Sequence, residues 1–236
     1  VAGSNNSRNG PPQVSLAAAQ AMWTDVGKRF SINPKRIYTA GFSGGARIAM
    51  KVAFDSDQIA GVIASSAGFP PGHRRSDLKF VVFGTAGTED FNYLEMRQFD
   101  RELSSPHRVV IFEGGHQGLP TSLAVEALEW LEFRAAHPGA VEESKRDLDS
   151  HELQREAQIV GELNDLQQGL TDDPNARASN LKELKSRLQA WSHLANAPAD
   201  SAERRMALRI MGGVFIDSRS IDDQEYQNFV DTLRKK

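Results

Sequence analysis

Ser43 stands at the centre of Gly41-Phe42-Ser43-Gly44-Gly45, a G-x-S-x-G pattern set between the apolar run Arg36-Ile-Tyr-Thr-Ala40 and a helical stretch beginning Ala46-Arg-Ile-Ala-Met50. A serine hydroxyl becomes a nucleophile when a sharp strand-to-helix turn exposes it beside a base and backbone N–H donors; small residues two before and two after allow that turn. Two other residues could complete the chemistry. His116 follows two glycines in Gly114-Gly-His116, and Asp90 ends Gly84-Thr-Ala-Gly-Thr-Glu-Asp90. The imidazole would take the Ser43 proton and return it to a leaving alkoxide, while the carboxylate holds the tautomer and stabilises imidazolium. Glu89 is equally ionisable, but Asp90, three residues after Gly87, is expected to face the base and Glu89 to point away.

These side chains can meet only if the elements before them are neighbours. The pattern predicts a helix over Val14–Phe30 and strands over 36–40, 59–64, 80–83 and 107–112. Helices are expected from 46 to about Phe54, over Tyr93–Leu103 and over Thr121–Ala136. Strands alternating with helices imply a mostly parallel sheet flanked by helices, whose ligands bind at the carboxyl ends of the strands. Ser43, Asp90 and His116 each follow such an end. Of the other histidines, His107 opens a strand, His137 closes a helix, His151 and His193 lie in the charged tail, and His73 is placed at the surface of an excursion over Phe69–Lys79. Asp77 and Asp100 are expected to be solvated.

Composition narrows the class. The 236 residues carry a net charge of −3, which opposes a nucleic-acid partner because backbone recognition needs clustered Lys and Arg. The chain has no cysteine, excluding disulfides and thiolate chemistry. No metal site and no cofactor are expected, nor does any apolar run reach the length of a membrane span. The first ten residues do not form a signal peptide, and the compartment is left open.

Taken together, Arg36-Ile-Tyr-Thr-Ala-Gly-Phe-Ser-Gly-Gly-Ala-Arg-Ile-Ala49, Gly-Thr-Glu-Asp-Phe-Asn-Tyr93 and Gly-Gly-His-Gln117 resemble the α/β-hydrolase superfamily, over about residues 1–137. Within it the chain looks most like serine esterases related to polyhydroxybutyrate depolymerases and feruloyl esterases. The resemblance implies cleavage of a small or polymeric carboxylic ester through an acyl-enzyme, with the Gly44 N–H as one oxyanion donor. Substrate walls are expected from Phe42, Phe69–Arg75, Phe91 and Tyr93. It also implies strands ahead of the nucleophile strand, including the loop that gives the second oxyanion donor. Val1-Ala2 reads as the tail of one such strand, so the chain is expected to be a piece of a longer protein with an unpaired sheet edge.

Near Pro138-Gly139 the composition changes, dividing a partial hydrolase domain, 1–139, from a helical region, 140–236. In the latter, Ile159, Leu163, Leu166 and Leu170 form one helical stripe and Leu181, Leu184, Leu188 and Trp191 another. Thr171-Asp-Asp-Pro174 lies between, which predicts an antiparallel hairpin. Helices over Ser201–Met211 and Asp222–Leu233 would complete a small bundle. Two readings of it stand: a solvated helical appendage packing on itself or on the hydrolase, or a module that binds a protein partner; Arg234-Lys-Lys236 is read as solubilising charge. The whole chain is read as a serine esterase; a serine peptidase of the same fold and an inactive scaffold are the alternatives.

Overall fold

The computed structural model describes residues 11–140, 150–198 and 201–235. The expected strand tail at Val1-Ala2 lies outside the described residues. The α/β class read from the sequence is the one adopted: a parallel sheet flanked by helices, followed by an all-α region. The chain divides into two compact units, Val1–Gly87 with Glu95–Ser144, and Thr88–Leu94 with Lys145–Lys236.

In the first unit, α1 (Pro12–Arg29), β1 (Tyr38–Phe42), α2 (Gly44–Asp55), β2 (Gly61–Ser65), β3 (Val81–Gly87), β4 (His107–Phe112) and α4 (Thr121–Ala136) follow in order, with α3 (Tyr93–Glu102) between β3 and β4. All three strand pairs are parallel and the order is β1-β2-β3-β4. Side chains alternate across a strand, and the two faces show it. Val62, Ala64, Val82, Ala86 and Val109 pack with Ala46 and Met50 of α2 and Met96 and Phe99 of α3. Ile63 and Phe83 point the other way, onto Ala127, Trp130 and Leu131 of α4. By contrast α1 buries no residue: Trp23, expected on its inner face, is 38% exposed, and Phe30, just past the helix end, is 64% exposed.

Three strands start and end later than expected: the first covers Tyr38–Phe42, the second Gly61–Ser65 and the third Val81–Gly87, while the fourth keeps its expected span. The first strand extends through Gly41 and Phe42, and the third runs on to Gly87. Pairing partners carry both onward, Phe42 opposite Ser65 and Gly87 opposite Phe112, which local composition with its glycines could not reveal. Asp100 is also not solvated. It lies against His107, Oδ1 to Nε2 3.4 Å.

The second unit holds α5 (Ser150–Asp172), α6 (Arg177–Leu194), α7 (Ala202–Asp217), a 3₁₀ turn (Ser218–Ser220) and α8 (Gln224–Arg234). Leu163, Leu170, Leu181, Leu184 and Leu188 of the two predicted stripes are buried, packed with Ile210, Val214, Tyr226 and Val230. Ser201 and Asp223 start α7 and α8 by accepting the N–H groups of Arg204 (3.2 Å) and Tyr226 (3.0 Å), as N-cap residues do. Arg234 is no mere solubilising charge: it donates to the carbonyl of Phe215 (2.6 Å). Among the described residues no helix is long and apolar enough to cross a membrane.

Candidate active site

Parallel register puts the exits of all four strands at one end of the sheet, so Ser43 and the 113–116 loop leave β1 and β4 on the same side. Ser43 sits between β1 and α2 with φ 53° and ψ −122°, a conformation that costs a non-glycine residue about 1–3 kcal/mol. Its N–H continues the ladder to the Ser65 carbonyl (2.8 Å), while its own carbonyl already accepts from Ala46 (2.9 Å) and Arg47 (3.3 Å) as the helix begins. Strand and helix thus share one residue, which holds the strained turn.

The two motif glycines have different jobs. A Cβ on Gly41 would lie 2.1 Å from the Gly45 carbonyl oxygen and 2.6 Å from the Ala46 nitrogen, whereas one on Gly45 would meet nothing within 4 Å. The expectation that smallness is needed at both positions therefore holds for Gly41 alone, because the helix backbone folds back over the strand residue and not over its own second residue.

His116 reaches Ser43. Its Nε2 lies 2.9 Å from the Ser43 Oγ, a distance at which neutral imidazole protonated on Nδ1 accepts the hydroxyl hydrogen. The ring also packs on Phe42, centroids 4.8 Å apart. Of the two glycines before His116 only Gly114 is required by its backbone, with φ +143°, while a Cβ on Gly115 would meet nothing within 4 Å; at the end of β3, a Cβ on Gly87 would lie 2.2 Å from the Gly114 carbonyl oxygen. The His116 loop therefore lies directly on the end of β3.

Asp90 is wholly buried in the loop after β3. Its Oδ1 accepts the Asn92 N–H (2.8 Å) and its carbonyl the Tyr93 N–H (2.8 Å), a turn that opens α3. Glu89 differs in kind: it is partly exposed and its carboxylate meets Arg204 at 2.8 Å. Gly44 is the first residue of α2, where N–H groups have no carbonyl one turn back to bind. Of the expected substrate walls, Phe42 adjoins the imidazole. Tyr93 lies under the Arg209 guanidinium, 4.4 Å from its ring centroid, and Phe91 lies against Gly212.

The excursion after β2 is tied down. Arg74 pairs with Glu102, Arg75 lies 5.0 Å over the Phe54 ring, and His73 Nδ1 is 2.8 Å from the Pro71 carbonyl. Residues missed at the sequence level are those that brace the site across long separations. Arg47, four residues after Ser43, makes a two-pronged pair with Glu95 (2.7 and 2.6 Å) and donates to the Phe69 carbonyl (2.6 Å). Glu95 in turn accepts the Gly68 N–H (2.8 Å). Ser66, at φ 57°, donates to the carbonyl of Gln117, next to His116 (3.3 Å). Only Arg47, one turn into the helix after Ser43, carried a local signal.

No protein-family model matches this chain, and no curated protein matches it. Among solved structures it is similar to an α/β serine hydrolase homologue from Coxiella burnetii, at 23% identity over 58% of this chain and 64% of that one, with a TM-score of 0.39. It is also similar to Arabidopsis thaliana SOBER1 carrying a Phe-to-Leu substitution, at 14% identity, 54% and 66% coverage and a TM-score of 0.40. A third is YahD with malic acid, at 21% identity, 51% and 64% coverage and a TM-score of 0.35. The chain spans less than two thirds of each of those chains, and at such TM-scores neither activity nor substrate carries over.

Proposed function

We propose that the chain is, or belongs to, a serine hydrolase that cleaves carboxylic esters, with residues 1–139 as its catalytic part. The observation that carries this is the 2.9 Å contact between His116 Nε2 and the Ser43 Oγ, made at a backbone conformation that serine does not adopt without strain. Ser43 Oγ adds to the ester carbonyl carbon as Nε2 takes its proton, and the carbonyl oxygen becomes an oxyanion that the Gly44 N–H faces. Collapse of the tetrahedral adduct expels the alkoxide, which recovers the proton from Nε2 and leaves an acyl-serine. Water, deprotonated by the same nitrogen, then releases the acid. Asp90, the acid expected from the sequence, is assigned to hold the Nδ1–H; its burial and the engagement of Glu89 by Arg204 favour it over its neighbour.

A fluorophosphonate probe tests the reading directly. Ser43 is expected to be labelled in the folded protein, with labelling lost in Ser43→Ala and slowed in His116→Ala. A folded protein that the probe leaves unmodified would refute it.

A further inference from the structure

Helix α7 packs into the bundle core and also meets the 88–93 segment. At about 100° per residue, Met206, Ile210, Met211 and Val214 point into the bundle core. Arg204, Arg209 and Gly212 occupy the remaining arc, and each of them meets the 88–93 segment. Arg209 is 6% exposed and Glu156 on α5 is 1% exposed; they pair through two contacts of 2.8 and 2.5 Å. The third nitrogen of the same guanidinium donates to the Thr88 carbonyl (2.8 Å), and its plane lies over Tyr93. Arg204 holds Glu89, and a Cβ on Gly212 would come within 3.2 Å of Phe91. Thr88, Glu89, Phe91 and Tyr93, the residues on either side of Asp90, are thus each gripped by one helix.

A solvated appendage has no use for a buried arginine, since removing guanidinium and carboxylate from water is costly unless every contact is made well. We propose that Arg209, locked by Glu156, is a positioning residue for Asp90, and that the C-terminal helices are a structural part of the acid-bearing loop. This rests on the triad reading above. The guanidinium is planar and its arms are fixed relative to one another, so clamping two of them on Glu156 sets where the third meets Thr88, two residues before Asp90.

The test uses the whole chain with Arg209→Met and Glu156→Met combined, because either change alone leaves a buried charge unpaired and risks unfolding. Hydrogen exchange reads the loop without requiring activity. The Asn92 and Tyr93 amides, both bonded to Asp90, are expected to exchange about tenfold faster or more while β2 amides do not change. On a chromogenic ester, kcat should fall about 10²-fold at unchanged KM. In an Asp90→Asn background the same pair of changes should cost less than about twofold, since the group it positions is gone. Unchanged exchange at Asn92 and Tyr93, or losses that multiply with Asp90→Asn, would overturn the assignment. Hydrolysis that survives Ser43→Ala would instead sink the triad, and the exchange result would still decide the role of Arg209.

Discussion

Replacing Gly41 or Gly45 with alanine adds the same methyl group to the same pentapeptide, yet the two should behave oppositely. At Gly41 the new carbon would lie 2.1 Å from a backbone oxygen, where ordinary contact begins at 3.4 Å, so 3.4 − 2.1 = 1.3 Å must be found by moving strand against helix. The obstructing atoms are the Gly45 carbonyl and the Ala46 nitrogen, which cannot rotate away as a side-chain tip would. Overpacking of this kind costs about 1–3 kcal/mol. A nucleophile displaced by about 1 Å loses on the order of 10²-fold in turnover. At Gly45 the space is open and the residue is helical, so alanine should be neutral or stabilise by up to about 1 kcal/mol through lower unfolded-chain entropy. Urea denaturation midpoints, with ester turnover on the same preparations, measure both effects. A Gly41→Ala protein with wild-type midpoint and turnover, or a Gly45→Ala protein more damaged than it, would refute this account of the turn.

Two further outcomes follow from buried polar groups. Burial works against charge on His107, but the Asp100 side chain and the carbonyls of Ser105 and Asp100 outweigh it and hold the imidazole pKa above its usual 6.5. That stabilisation is complete below the unfolded value of about 6.5 and is lost as pH rises through the folded one; thermal unfolding midpoints should fall across that rise, and His107→Gln should flatten the dependence. In the helical unit, burial pushes the Tyr226 hydroxyl up to about 12 while Gln167 Nε2 donates to it at 2.7 Å. Tyr226→Phe strands that amide donor and should cost about 1–3 kcal/mol in denaturant melts, whereas adding Gln167→Leu should recover most of the loss.

The strand before Ser43, the turn at it and the helix after it were legible because a strand-to-helix turn is a local device: five consecutive residues carry its conformation. The helical stripes from Ile159 to Trp191 were legible for the same reason, since a period of 3.6 is written in neighbouring positions. What neighbours in sequence cannot encode is which atom crowds which. That Gly41 and not Gly45 is the indispensable glycine depends on the helix backbone lying over the strand. The extra residues of β1 and β3 depend on partners some twenty residues away.

The sequence by itself determined the α/β class, the order in which serine, acid and histidine are met, and the apolar faces of the tail, because each follows from residue type and short-range periodicity. Only the tertiary structure decided that His116 touches Ser43 across 73 residues, that Arg47 and Glu95 brace the exit of β2, and that Arg209, more than a hundred residues after Thr88, holds its carbonyl. Hydrogen bonds and ion pairs between distant segments leave no periodic mark in a chain. They exist only after the hydrophobic faces have chosen their partners and brought those segments together.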